Sequence, residues 1–155
     1  MKSLTPETAF SRAAARCSLR ECCRSDFRRK FLEGGLSSSE AEAVLRRLEG
    51  EGYIDESRYA RAFVHDKLAY DGWGRVKMCA ALRLKGISDA DISAACAEID
   101  EEEYRGVLRR LVRQKRRALT DSESPAARQK IVRFLASRGF EANFVFSELN
   151  LDIDE

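Results

Sequence analysis

The residues of this chain best placed to do chemistry are its arginines. Between Tyr104 and Arg138 stand 11 basic side chains, against only Asp121 and Glu123. Arg105, Arg109, Arg113, Arg116 and Arg117 are spaced to fall on one side of a helix, and Arg110 and Lys115 widen that stripe. The opposite side, Tyr104, Val107, Leu108, Leu111, Val112 and Leu119, is apolar. Arg105, Arg109, Arg113 and Arg117 are therefore expected to be exposed together. Arg128, Lys130, Arg133 and Arg138 add charge on the next helical segment. Cations gathered on one face repel one another unless an anion meets them, so this face is a candidate contact for phosphates or for an acidic protein groove. The competing reading is a solvated face balanced by Glu101, Glu102 and Glu103 before it and by Asp152, Asp154 and Glu155 after it.

Other chemistries lack their residues. There is no glycine-rich phosphate loop and no dinucleotide fingerprint. The one histidine, His65, sits among helical residues and reads as a surface or structural group. The five cysteines, Cys17, Cys22, Cys23, Cys79 and Cys96, have neither the pairing nor the histidine partners of a zinc site and read as reduced, buried thiols. The acidic run at Glu101 suits a helix N-terminus. No catalytic residue, no metal and no cofactor is expected, and the chain is read as a non-enzyme.

These residues must be carried by helices. The chain has 155 residues, a net charge of +2 from 28 basic and 26 acidic side chains, 9 glycines and 2 prolines. Period-two alternation is absent, whereas helical spacing recurs, as in Tyr59, Phe63, Tyr70 and Trp73, or Val76, Cys79 and Leu82. Thr5-Pro6 places proline at a helix start. Ser37 to Glu40 and Ser88 to Asp91 read as capping boxes. No apolar run is long enough to span a membrane and the first ten residues lack a signal-peptide core, so the expected location is the cytoplasm.

A repeat organises these helices. Phe31 to Ser37, Leu82 to Ser88 and Leu135 to Glu141 align on Gly35, Gly86 and Gly139, which are 51 and 53 residues apart. Each glycine has an apolar residue four before it and one directly after it, and a short amphipathic helix follows. Ile-Asp-Glu recurs at Ile54, Ile99 and Ile153. The pattern is a helix ended by a left-handed glycine, a turn and a second helix. With the helix upstream it predicts an all-α chain of three tandem three-helix repeats, residues 1–54, 55–99 and 100–155, sharing apolar faces in an elongated, curved array. Tyr59, Phe63 and Phe134 are expected to be largely buried.

A helix-turn-helix could also read duplex DNA, but the second helices carry Glu40, Glu42 and Glu49, Asp89, Asp91 and Glu98, and Glu141 and Glu148, which phosphates would repel. Tyr53, Tyr59, Tyr70 and Trp73 are the candidates for stacking on single strands, although aromatics at helical spacing usually belong to the core.

The run Gly52-Tyr53-Ile54-Asp55-Glu56-Ser57-Arg58-Tyr59-Ala60-Arg61-Ala62-Phe63-Val64, then Gly74-Arg75-Val76 and Leu82 to Ile87, resembles the central signature of RecX proteins, bacterial regulators of the RecA recombinase. Lys130 to Phe140 resembles that family's last repeat, and Arg16 to Glu21 with Phe31 to Leu36 fits the first more loosely. The resemblance implies a modulator that binds RecA and RecA–DNA filaments and suppresses ATP hydrolysis, strand exchange and coprotease activity. On that reading the basic face meets RecA or DNA, with Arg58, Arg61, Arg75 and Lys77 as secondary contacts. The expected partners are RecA and its filament, with single-stranded DNA as a further candidate, and the expected state is a monomer.

Overall fold

The computed structural model describes residues 3–154, with side chains through residue 150. All regular structure among the described residues is helical: α1 (Pro6–Cys17), α2 (Arg24–Glu33), α3 (Ser38–Gly50), α4 (Glu56–Asp66), α5 (Arg75–Leu84), α6 (Asp89–Ala97), α7 (Glu101–Arg117), α8 (Pro125–Ser137) and α9 (Ala142–Asp154). A π-helical turn, Lys67–Asp71, extends α4.

Local chemistry sets the helix starts. Thr5, Ser37, Asp55, Ser88, Asp100 and Ser124 each accept a hydrogen bond from the backbone amide three residues on. Each such cap satisfies an otherwise orphaned donor and is worth about 1 kcal/mol. At Ser37 the box closes in both directions, through Glu40; Ser88 caps without the reciprocal bond.

The repeat holds in atomic detail. Gly35, Gly86 and Gly139 have φ of +102°, +77° and +93°. The amide after each glycine reaches back to the helix it ends, Leu36 to Phe31, Ile87 to Leu82 and Phe140 to Leu135, at 3.0 to 3.1 Å. Leu36, Ile87 and Phe140 are all buried. This is the Schellman ending, in which a left-handed residue lets the chain fold back on its own helix. The third Ile-Asp-Glu, at Ile153, falls outside the residues whose side chains are described.

The apolar faces are shared unequally. One core holds Ala9, Ala13, Phe27, Phe31, Leu45 and Leu48 and belongs to α1–α3. The other runs through α4–α9, from Ala60 and Val64 to Val145 and Leu149, and takes in Cys23 from the first unit. The second and third units therefore share one interior, and the first keeps its own.

Their joints differ to match. Gly74 opens α5 with no side-chain cap; its amide donates to the Arg138 carbonyl at 2.7 Å and the Val76 amide to the Gly139 carbonyl at 3.0 Å. Between them the Arg75 amide donates to the Tyr104 hydroxyl at 3.0 Å. The C-terminus of α8 thus caps the N-terminus of α5, which satisfies orphaned groups at both ends and sets opposite ends of two helix dipoles together. Only glycines allow the approach: a Cβ on Gly74 would lie 2.4 Å from the Gly139 carbonyl, and one on Gly139 2.5 Å from the Lys77 amide nitrogen. The joint between the first and second units is made of side chains. Lys85 pairs with Asp26 at 2.9 Å, Arg58 pairs with Glu21, and Cys23 packs into the second core.

Some aromatics depart from the sequence reading. Tyr59, Phe63 and Phe134 pack on the core but are half-buried, and Tyr70 is 79% exposed. The π-helical turn widens the helix just before Tyr70, which breaks the 3.6-residue phase and swings that ring outward. Val76 is exposed because Met78 and Leu82 supply the buried stripe of α5. Cys22 and Cys23 are buried, while Cys17, Cys79 and Cys96 are half-buried; all five are free thiols. The Cys79 and Cys96 sulfurs lie 3.4 Å apart, and burial with the neighbouring thiol pushes Cys96 up to about 12, so it stays protonated at neutral pH.

Gly74→Ala is expected to destabilise by roughly 3 kcal/mol, because a backbone-to-backbone contact has no flexible atom to yield. Gly86→Ala, where a Cβ meets open space and only φ is strained, should cost about 1 kcal/mol. Urea unfolding of the two variants reads the order directly. A second expectation concerns the side-chain joint. Burial raises the Asp26 carboxyl, but hydrogen bonds from Lys85 and Cys23 outweigh it and hold the group below its ordinary value. A depressed folded-state value contributes stability that is present above about pH 4 and is lost as pH falls through the folded value. The stability difference between the parent and Asp26→Asn, about 1 kcal/mol at neutral pH, should therefore vanish in more acid solution.

Candidate partner-binding surface

The basic helix α7 forms as its caps and stripe dictate. Asp100 caps it, Glu101, Glu102 and Glu103 fill the first turn, and Lys115, Arg116 and Arg117 fill the last, each charge complementing the helix dipole. Tyr104, Val107, Leu108, Leu111 and Val112 are buried.

The arginines do not form the single free face that their spacing suggests. Arg105 and Arg109 turn to α9. Arg109 pairs at 3.2 Å with Glu148, which is 3% exposed, and Arg105 reaches the same carboxylate at 4.0 Å. Arg105 also pairs with Glu101 at 3.3 Å and lies over the Phe144 ring at 4.6 Å. Arg109 is nevertheless exposed, as expected, with Arg113 and Arg117, while Arg105 is half-buried; what the spacing did not foretell is that both Arg105 and Arg109 are ion-paired within the molecule. The helix stripe placed the arginines relative to α7, but the carboxylate that collects two of them arrives from α9, 39 residues further on from Arg109. Lys115 lies over the Phe134 ring at 4.6 Å, and Arg116 is half-buried.

What remains is a narrower set. Arg110, Arg113 and Arg117 are exposed on successive turns, and none makes an ion pair among the described residues. Lys130 and Arg133, exposed on α8, are in the same condition. Arg128 donates to Asn150 at 2.8 Å, and Arg138 donates to the Asp71 carbonyl at 3.2 Å while covering Phe134.

The second set of candidates is engaged inside the molecule. Arg58 bonds Glu21 and the carbonyls of Gly52 and Tyr53. Arg61 pairs with Glu98 at 3.8 Å. Arg75 pairs with Glu141 at 3.1 Å and lies 3.9 Å from the centre of the Tyr104 ring, whose hydroxyl donates to Glu141. Lys77 lies 4.4 Å from the centre of the Trp73 ring, and Lys67 lies 4.6 Å from it. Arg58 and Arg75 thus cross the joints between units, while Arg61 and Lys77 engage partners within the second unit. Exposed cations that the sequence reasoning did not single out include Arg12, Arg16, Arg20, Lys30 and Arg46 in the first unit, which contribute to no local excess as large as that of the third. Among the described residues no group of three His, Cys, Asp or Glu is placed to hold a metal ion, and no helix is long and apolar enough to cross a membrane.

Two family models match these helices. One, RecX second three-helix domain, covers residues 55–95, and the other, RecX third three-helix domain, covers residues 101–146. The regulatory protein RecX of Xanthomonas axonopodis pv. citri (strain 306) is 32% identical over 149 residues, spanning 96% of this chain and 90% of that protein.

The chain belongs to the RecX family.

A more distant RecX relative, from Amycolatopsis mediterranei (strain U-32), is 26% identical over 96% of this chain and 83% of its own length. The crystal structure of RecX from Lactobacillus salivarius shares the fold, with a TM-score of 0.83 at 16% identity over 96% of this chain and 97% of that one. A further RecX crystal structure matches with the same TM-score at 24% identity, over 94% of this chain and 71% of that one. The two matched ranges begin at the starts of α4 and α7, and the relatives are named regulatory proteins.

Glu148→Gln should cost about 1–3 kcal/mol, since it strips the counter-charge from Arg105 and Arg109 while leaving its own site buried. Thermal unfolding checks this. A cost no larger than that of an exposed glutamate such as Glu102→Gln would show that the two arginines are held by solvent and not by α9.

Proposed function

We propose that this chain binds RecA and RecA–DNA filaments and inhibits their recombinase, ATPase and coprotease activities. The observation that carries the reading is the match, over nearly the whole chain, to proteins named regulatory protein RecX. The three units, 1–54, 55–99 and 100–155, serve as successive pieces of one insert, acting by geometry and charge with no chemistry of their own. Arg110, Arg113 and Arg117, with Lys130 and Arg133, supply the cations that meet acidic protein surface or the DNA backbone. The protein acts as a monomer in the cytoplasm.

The rival reading is a protein that binds single-stranded or duplex DNA by itself through the third unit. The exposed arginines suit both. Against strand stacking, Trp73 has ammonium groups close to its ring and Tyr59 is half-buried against the core; the exposed rings Tyr70 and Tyr53 are the ones the rival would use.

Binding to bare single-stranded DNA, to free RecA and to the RecA–DNA filament, each at two salt concentrations, separates the two. The filament is expected to be bound most tightly. Equal binding to bare DNA with a steep salt slope would favour the rival. Replacing Arg110, Arg113 and Arg117 together by glutamine keeps helix propensity and breaks no ion pair, so helicity should be unchanged. Inhibition of RecA-driven ATP hydrolysis and strand exchange should fall, and the salt dependence of filament binding should flatten by about one unit of slope for each phosphate that an arginine no longer meets. Full inhibition by the triple variant at physiological salt would leave this face as solvated surface.

A further inference from the structure

Two of the half-buried thiols meet across the turn of the second unit. Cys79 on α5 and Cys96 on α6 place their sulfurs 3.4 Å apart. Both side chains pack on the shared core and both stay partly open to solvent. Cys79 stands seven residues before Gly86 and Cys96 ten after it. The same places around Gly139 hold Val132 and Leu149, and around Gly35 they hold Arg28 and Leu45. The second unit alone puts a sulfur at both. Packing asks only for small apolar groups there, whereas two thiols in contact add a reaction.

The other cysteines are placed differently. Cys22 is 7% exposed and Cys23 0%, so neither meets a dissolved oxidant. Cys17 is half-buried, but the thiol beside it is Cys22. A disulfide bond is about 2.05 Å long, so closure between Cys79 and Cys96 asks the sulfurs to approach by about 1.3 Å. α5 and α6 already pack on each other, and rotation about each Cα–Cβ bond moves a sulfur without moving its helix.

We propose that Cys79 and Cys96 form a site of reversible oxidation, at which hydrogen peroxide converts the two thiols to a disulfide that ties α5 to α6. Burial keeps Cys96 protonated at neutral pH, so the reaction starts at Cys79. The Cys79 thiol gives up its proton and its sulfur attacks one peroxide oxygen. The O–O bond breaks, the leaving hydroxide takes that proton to become water, and Cys79 is left as a sulfenic acid. The Cys96 sulfur then attacks the Cys79 sulfur. The S–O bond breaks, and the departing hydroxide takes the Cys96 proton as a second water. Two thiols are oxidised to one disulfide and one peroxide is reduced to two waters. A dithiol such as dithiothreitol restores both thiols by exchange.

The bond has a mechanical meaning. The first turn of α5 is already held by the main chain of α8, through the amides of Gly74 and Val76. A bridge to Cys96 closes residues 80–95 into a loop and fastens α6 to that held helix. The oxidised form is the more stable of two states of one fold. The site needs no partner, so it stands or falls independently of RecA binding.

The test uses the full chain, reduced, freed of reductant and treated with hydrogen peroxide. The remaining thiols are alkylated and the peptides mapped by mass spectrometry. The Cys79 and Cys96 peptides are expected to be joined, with a loss of about two mass units from the chain, and dithiothreitol should part them. Oxidation should raise the midpoint of thermal unfolding of the parent by roughly 5–10 °C and leave that of Cys79→Ser unchanged. In Cys96→Ser the reaction should stop at the sulfenic acid of Cys79, which dimedone traps at that residue. General reactivity of exposed thiols cannot produce that pattern. Recovery of both cysteines alkylated after peroxide, a bond confined to Cys17 and Cys22, or a link between two chains overturns the site. Oxidation of Cys79 to a sulfinic acid beside a free Cys96 shows that the two sulfurs do not close, and overturns it equally.

Discussion

The capping of one helix end by another, α8 onto α5, is the constraint on which the rest of the third unit's placement depends. The amides of Gly74 and Val76 have no partner in their own helix and take the carbonyls of Arg138 and Gly139, which have none in theirs. Main-chain groups have no rotamers, so this contact fixes distance and direction together. It brings Tyr104 and Glu141 against Arg75 and lets α4–α9 close over one interior.

Charge is then sorted by what the fold brings near. Arg105 and Arg109 are drawn to Glu148, Arg75 to Glu141 and Arg58 to Glu21. An acidic residue buried at the edge of a core, as Glu148 is, leaves its desolvation uncompensated unless cations come to it, and Arg105 and Arg109 supply them. The net charge of +2 conceals this division. The exposed cations without an ion pair among the described residues are the remainder, and they occur both on the outer side of α7 and α8 and in the first unit at Arg12, Arg16, Arg20, Lys30 and Arg46.

The helices and their turns were legible in the sequence because each rests on local physics. A left-handed glycine followed by an apolar residue, as at Gly35, Gly86 and Gly139, announces a helix end with few alternatives, and serine, threonine or aspartate announces a start. The stripe on α7 likewise foretold its buried side. The partition of the arginines was not legible, because it depends on side chains distant in sequence. Arg109 reads as an unpaired surface cation until α9 brings Glu148 to it. The double duty of Gly139, as turn and as contact for Gly74, was invisible for the same reason: its spacing explains the first and nothing in the chain reports the second. Tyr70 was misplaced by the π-helical turn, since a single added residue shifts the phase of all that follows without leaving a mark in composition.

The two joints also differ in compliance. Between the second and third units the load passes through peptide groups, so bending there means breaking backbone hydrogen bonds and exposing a common interior. Between the first and second units it passes through Lys85 to Asp26 and Arg58 to Glu21, on flexible stems partly open to solvent. The second and third units are therefore expected to move as one, whereas the first joint should yield more easily; ion pairs occur at both, Arg75 with Glu141 at one and Lys85 with Asp26 and Arg58 with Glu21 at the other. Bending is thus expected to concentrate at the first joint, while every helix keeps its length.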